Sequence, residues 1–298
     1  MISVYGWRGT YELIGWAGII IAFLLLLGMR DPKKQKILNY LNDKESLLKD
    51  ALKNNDDFYR EEAPVKKQVG FFESIVGCFR ETVPRNCLIA TSFRFFGNFV
   101  ADYYSPSFYS AAYPNDQNEY ALLSVLVYII AGISNFYGGA VADKYGDRDP
   151  GVLGRLCMWS SAFSFPLMAA SMLVTSNFRL SMAFTALKFM TGEIFWSPNV
   201  TMFQKAVEPH KFGSYYAVYQ FFANMIGCLG TLVVGYIVNK LECQTDGVVF
   251  GYVVAALYGM GCLGSILFWY FAKVGFEEQQ KEKHNLLNSR AFIVIEDP

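Results

Sequence analysis

The strongest constraint on this chain is its series of long, nearly unbroken apolar blocks. Seven runs stand out, roughly Trp7–Gly28, Asn86–Ala112, Tyr120–Gly139, Leu153–Val174, Leu180–Phe203, Tyr215–Val238 and Phe250–Ala272. About 20 mostly apolar residues cross a bilayer as a helix. In lipid only helices and closed barrels satisfy every backbone group, and these runs are too long and continuous for barrel strands. The predicted fold class is an all-α membrane protein, a polytopic bundle of about seven transmembrane helices. Composition agrees: 53% of residues are hydrophobic and only 17% are charged, where a soluble domain carries about 25%.

The first run is not read as a signal peptide. Lys33, Lys34 and Lys36 follow it and Glu12 stands near its start, the reverse of a secretory leader. The distribution of Lys and Arg sets an expected orientation. With the N-terminus outside, the inside segments 29–85, 140–155, 204–214 and 273–298 hold 21 of the 26 basic residues, and the outside segments hold only Arg8, Arg179 and Lys240. The tail Lys273–Pro298 is then cytoplasmic; the sequence does not say which membrane holds the protein.

The long loop between the first two spans carries a stripe of Ile37, Leu38, Leu41, Leu48 and Leu52. It reads as an amphipathic helix on the membrane or the protein, against a plain solvated linker. A polar linker, Asn54–Lys67, follows, and then a shorter stripe of Phe71, Phe72, Ile75, Val76 and Phe79. The six cysteines (Cys78, Cys87, Cys157, Cys228, Cys243 and Cys262) show no metal-ligand spacing, and most read as small hydrophobes within spans. No metal or cofactor is implied, and a net charge of zero gives no reason to expect nucleic acid. No Ser–His–Asp set, HExxH or phosphate loop supports an enzyme.

After the third run the chain reads Gly139-Ala-Val-Ala142-Asp143-Lys144-Tyr145-Gly146-Asp147-Arg148. This resembles the loop signature G-x-x-x-D-[RK]-x-G-[RK]-[RK] of the major facilitator superfamily. Gly139, Asp143, Lys144, Gly146 and Arg148 match; Asp147 departs, standing where the family has a basic residue. Small residues allow close helix approach, Asp143 can meet a helix N-terminus or a basic partner, Gly146 suits a tight turn, and Lys144 and Arg148 anchor the inner face.

Two further stretches agree. Trp7-Arg8 and an apolar helix ending Met29-Arg30-Asp31-Pro32 resemble the family's sixth helix. Gly192-Glu193-Ile-Phe-Trp196-Ser-Pro198-Asn199-Val-Thr201-Met202, with Pro209 and Phe212-Gly213-Ser214, resembles helices ten and eleven of spinster-like members. The resemblance implies helices six to twelve of a twelve-helix transporter. Residues 1–30 would be helix six, 31–85 the central loop, 86–272 the C-terminal six-helix bundle and 273–298 the tail. It implies alternating-access transport of a small solute, lipid-like or an organic anion, with no cofactor. The lipid bilayer is one partner; an N-terminal half or a second copy would complete the cavity, unless the chain is part of a longer one that continues before Met1.

Ionisable residues inside spans are functional candidates by default. Arg94, Asn98 and Asp102 form one drifting stripe, since four residues advance about 40°. Lys188 and Glu193 stand about 140° apart on an ideal helix. Arg94 or Lys188 is expected to face an anionic or zwitterionic headgroup, and Glu193 or Asp102 to titrate in a proton-coupled cycle. The competing reading is structural pairing, Arg94 with Asp102 or Lys188 with Glu193. Tyr219, Gln220, Asn224 and Asn135 either line the cavity or join helices. Pro106, Pro166 and Pro198 should kink or break their helices. Gly227, Gly230, Gly235, Gly259, Gly261 and Gly264 should be packing glycines. Trp7, Tyr103, Tyr104, Tyr113, Trp269 and Tyr270 fit an interfacial belt. A seven-helix receptor shares the span count but lacks an acidic-Arg-Tyr end to the third span and a closing Asn-Pro-x-x-Tyr. A pseudo-transporter that binds a partner and moves nothing is the third reading.

Overall fold

A computed structural model describes residues 70–146, 148–242 and 246–296, with scattered positions between Gly9 and Leu24. The chain separates into two units, 1–65 and 66–298. In the first, the described positions are helical, and Trp16, Ile19, Ile20, Ile21, Phe23 and Leu24 are exposed, the surface of a helix that belongs in lipid. The stripe Ile37–Leu52 and the linker Asn54–Lys67 lie outside the described residues.

The second unit runs α1 (Phe71–Arg80), α2 (Thr82–Ala112), α3 (Gln117–Tyr145), α4 (Gly151–Leu173), α5 (Phe178–Gly192), a 3-10 turn (Glu193–Phe195), α6 (Trp196–Ala206), α7 (Phe212–Lys240) and α8 (Gly247–Glu296). No strand occurs among the described residues. The six later runs map onto α2, α3, α4, the broken pair α5–α6, α7 and α8. Four helical stretches are long and apolar enough to cross a membrane: α3, α4, α7 and Gly247–Lys283 of α8. The other two runs miss that standard for physical reasons. α2 carries Arg85, Arg94 and Asp102 among many small polar residues, and α5–α6 is interrupted.

α2 is the central helix, packed chiefly on α8 and α7. Glycines let these backbones touch. A Cβ on Gly261 would lie 2.6 Å from the Phe93 carbonyl and 2.9 Å from the Gly97 Cα, and one on Gly230 would lie 2.7 Å from the Phe96 carbonyl. Gly227, Gly259 and Gly264 likewise face Phe99, Phe165 and Phe93, and Gly235 faces the Tyr104 hydroxyl. This is small-residue packing, the usual basis of helix association where no hydrophobic force acts between helices.

The interfacial-belt expectation needs correction. Trp269 is fully buried, its Nε1–H 3.3 Å from Asn199 Oδ1, so it is a core residue. Tyr113 is also buried, and its hydroxyl donates to the Val174 carbonyl. Tyr103 and Tyr270 are exposed, and Trp7 lies outside the described residues. Four of the cysteines (Cys78, Cys87, Cys157 and Cys262) are buried free thiols and Cys228 is exposed; Cys243 is not described. α8 runs on past Ala272, so the described tail is a helical extension. Its Gln279 donates to the Ala206 carbonyl at 3.0 Å.

Candidate functional site

The site is built around the interruption between α5 and α6. Proline has no N–H, and its ring clashes with the carbonyl four residues back. Pro198 therefore forbids the helical bond to Ile194, and the chain tightens to 3-10 over Glu193–Phe195. Pro106 and Pro166, by contrast, lie inside helices assigned without interruption. Irregular backbone at membrane depth survives only where its polar groups are met by protein. Here side chains meet them. Ser134 donates to the Met190 carbonyl at 2.5 Å. Ser160 and Arg94 both donate to the Gly192 carbonyl at 3.0 Å. Cys157 Sγ lies 3.7 Å from the Phe195 carbonyl. α3 approaches closely at Gly138, where a side chain would collide with the Ile194 carbonyl.

Arg94 is fully buried. Its Nη1 reaches Ser164 Oγ at 2.9 Å, Tyr258 Oη at 3.0 Å and Cys262 Sγ at 2.8 Å. The guanidinium carbon lies 5.3 Å and 5.4 Å from the Phe195 and Tyr258 ring centroids. It makes no ion pair among the described residues, so the anticipated Arg94–Asp102 pair is not formed. Eight residues turn the helix by about 80°. Arg94 thus points between α4 and α8, and Asp102 points toward α3 and α5. Asn98 lies between them, buried, with no partner for its Oδ1.

Lys188 is also fully buried. Its Nζ lies 3.7 Å from Asp102 Oδ1 and 4.0 Å from Glu193 Oε1, and 3.7 Å from the Phe189 ring centroid. It has no hydrogen-bond partner. Only the step into Glu193 lies in the 3-10 turn, so the two residues keep different bearings on the helix; their long side chains converge to bring Nζ and Oε1 within 4.0 Å. Glu193 is steadied by Trp196, whose Nε1–H donates to Oε2 at 2.8 Å. Two carboxylates thus flank one ammonium, with a second cation held nearby by neutral acceptors.

A hydroxyl network adjoins this core. Tyr109 Oη lies 3.1 Å from Ser171, 2.9 Å from Ser181 and 2.8 Å from Thr185. Sequence reasoning missed it. The available signal was Ser171 and the pair Ser181 and Thr185, small hydroxyls at helical spacing in otherwise apolar spans.

The remaining candidates fall elsewhere. Tyr219 is buried and bonds Thr91 at 2.8 Å and Asn199, joining α7 to α2 and α6. Gln220 donates to Tyr216 Oη at 3.0 Å. Asn224 is exposed and donates back to the Gln220 carbonyl at 2.7 Å. Asn135 Oδ1 accepts from Ser197 at 2.9 Å. None of these reaches the charged core.

The end of α3 and the loop after it place Gly139 against Ser197 and leave Asp143, Lys144 and Arg148 exposed. Gly146 has φ −65° and ψ −20°, a conformation open to any residue. It serves close packing: an added Cβ would lie 2.4 Å from the Ala142 carbonyl oxygen and 3.2 Å from Leu153. Asp143 makes no ion pair among the described residues. Asp149 is the one that meets a helix N-terminus, accepting from the Gly151 N–H at 3.0 Å and pairing with Arg155. The Arg155 guanidinium holds the Asp149 carboxyl below the usual carboxylate range. Asp147 is not described.

The sequence matches the Major Facilitator Superfamily over residues 1–227 and, in an overlapping match, over 87–294. It is 27% identical over 135 residues to an MFS-type efflux pump of Mycolicibacterium smegmatis (strain ATCC 700084 / mc(2)155), covering 44% of this chain and 30% of that protein. The fold is similar to the crystal structure of a bacterial homologue of the human lysosomal transporter Spinster, inward-facing and unoccupied. The TM-score is 0.55 at 17% identity, over 91% of this chain and 58% of that one. The chain thus spans less than two thirds of the relatives it matches.

Proposed function

Because the chain belongs to the Major Facilitator Superfamily, we propose that it moves a small solute across a membrane by alternating access, its six-helix unit rocking against a second bundle. Residues 1–30 correspond to the family's sixth helix, 31–85 to the central loop, 86–272 to helices seven to twelve and 273–298 to the tail. The N-terminus is extracytoplasmic and the tail cytoplasmic. Arg80, Arg85, Lys144, Arg148, Arg155, Lys205 and Lys211 fall near or beyond helix ends on the proposed inner side, with Arg179 and Lys240 opposite, which supports that orientation.

The observation that carries this reading is the Asp102–Lys188–Glu193 cluster beside a broken helix. Discontinuous helices and intramembrane charges are the materials from which transporters build solute and ion sites. In this reading Asp102 and Glu193 are the groups that gain and lose a proton during the cycle, with Lys188 as their shared counter-ion. Arg94 holds the end of α5 in place through the Gly192 carbonyl. No chemistry on the solute is involved.

The test is flux in proteoliposomes carrying an interior pH dye, challenged in turn with organic cations, organic anions and lysolipids. At least one class should move protons with it, and Glu193→Gln should abolish that coupling. Unchanged transport and pH profile in Glu193→Gln would sink the coupling role. No flux of any solute would leave a non-transporting member of the family.

A further inference from the structure

The short helix α1, just before the central helix α2, packs one face on the protein and turns an apolar face outward. On the packed face Ser74 and Cys78 are fully buried and Ile75 joins the core. A side chain at Gly77 would collide with the Tyr215 ring, so α1 lies directly on α7. The outward face carries Phe72, Val76 and Phe79, which are 81%, 66% and 38% exposed. Steps of four and three residues put them on one stripe.

That stripe does not end with α1. Phe79 meets Phe222 of α7 edge-on at 5.6 Å, and Phe222 meets the exposed Phe221 in the same way at 5.4 Å. Met225 and Leu229 continue the exposed surface along α7, a helix long and apolar enough to cross a membrane. The outward face of α1 is therefore continuous with a surface made for lipid, and acyl chains cover both.

One edge of the stripe is charged. Between it and the start of α7 runs a groove of ≈ 770 Å³, lined by Phe72, Val76, Arg80, Glu81, Lys211 and Tyr215. Glu81 accepts from the Tyr215 hydroxyl at 3.1 Å, and Lys211 Nζ lies 3.4 Å from Glu208 Oε2. Arg80 is exposed and makes no ion pair among the described residues. Glu73, the other acid of the groove, is about 10 Å along the helix from it. The groove thus sets an uncompensated guanidinium beside an apolar wall, at the point where the chain enters a span.

We propose that α1 lies in the membrane interface and holds an anionic phospholipid. Phe72, Val76 and Phe79 enter the acyl chains, and the lipid phosphate sits in the groove against Arg80, with Lys211 beyond. A guanidinium fork suits phosphate oxygens, and basic sites at a membrane surface select anionic headgroups. This goes beyond the transport reading and stands without it. The orientation proposed above adds only that the leaflet is the cytoplasmic one.

The test is a bimane probe on Val76→Cys in proteoliposomes, with Cys228 and Cys243 replaced by Ser; Cys78, Cys87, Cys157 and Cys262 are buried. Doxyl groups on lipid acyl chains should quench the probe, and aqueous iodide should not. From the quenching, phosphatidylglycerol should bind beside the probe about fivefold more tightly than phosphatidylcholine at low salt, and the preference should shrink at high salt. Arg80→Gln, at an exposed position, should bring the ratio near one, and Arg80→Lys should keep most of it. Quenching by iodide instead of doxyl lipid, or by neither because protein covers the stripe, overturns the membrane contact. Equal quenching by the two lipids in the parent, or a preference unchanged in Arg80→Gln, overturns the lipid site.

Discussion

Arg94 and Asp102 sit on one helix, and their substitution should have opposite signatures. Arg94→Met leaves Tyr258, Ser164, Cys262 and the Gly192 carbonyl without their shared donor. Each buried polar group left unsatisfied costs about 1–3 kcal/mol, so the variant should melt well below the parent in detergent. Asp102→Asn changes a half-exposed side chain that accepts no hydrogen bond among the described residues. Its amide leaves the buried Lys188 with Glu193 alone, so melting should fall by less than the about 3–5 kcal/mol of breaking a fully buried ion pair, while solute-coupled proton movement is lost. Equal destabilisation by both would mean that Asp102 is structural. The charges themselves were plain in the sequence, because ionisable residues inside apolar runs are conspicuous. Their partners were not. Angular arithmetic on an ideal helix separates Lys188 from Glu193, and it cannot see that two long side chains converge across that angle. Tyr219, Gln220 and Asn224 looked equivalent by composition, but the first is core and the last is exposed.

At the scale of elements, the break in α5–α6 and the α2–α8 contact carry the structure. Pro198→Ala restores the N–H and removes the clash with Ile194, so the segment can run on as a continuous helix. Stability should hold or rise, and transport should fall as the 3-10 turn is lost and Glu193 and Trp196 change their bearing on Lys188. Unchanged transport would show that the break is incidental. Gly261→Leu should wedge α8 from α2, since the added atoms collide with backbone at Phe93 and Gly97. Overpacking costs about 1–3 kcal/mol, measurable as a lower melting temperature. The α3–α4 loop adds a pH dependence. Asp149 has a depressed carboxyl in the folded state, so its pair with Arg155 contributes stability above the ordinary carboxylate range and loses it as pH falls through the folded value. The pair is exposed and worth at most about 1 kcal/mol. Asp149→Asn should remove that small acid-sensitive part, seen by comparing melting at neutral and acidic pH. The apolar runs gave away where the helices lie, and the packing glycines were readable as such. The extension of α8 past Ala272 was hidden, because a charged amphipathic helix and a polar tail have similar composition.

For the whole molecule, the exposed apolar residues decide the setting. Leu122, Val125, Leu126, Ile129, Ile133 and Phe136 all lie open on α3, which among the described residues is covered on limited faces only. Such a surface belongs in lipid or against another helical bundle. The family's two-bundle architecture supplies both settings, and Asp102, the carboxylate proposed to carry the proton, shares a hollow with the exposed Tyr128 of α3. Alternating access makes a demand here that requires no knowledge of the solute. In sealed vesicles, Tyr128→Cys is introduced with Cys228 and Cys243 replaced by Ser, and a membrane-impermeant thiol reagent is applied from one side and then the other. A site exposed by turns to the two faces is labelled from both. Labelling from one side only, or from neither because lipid covers the position, would contradict it.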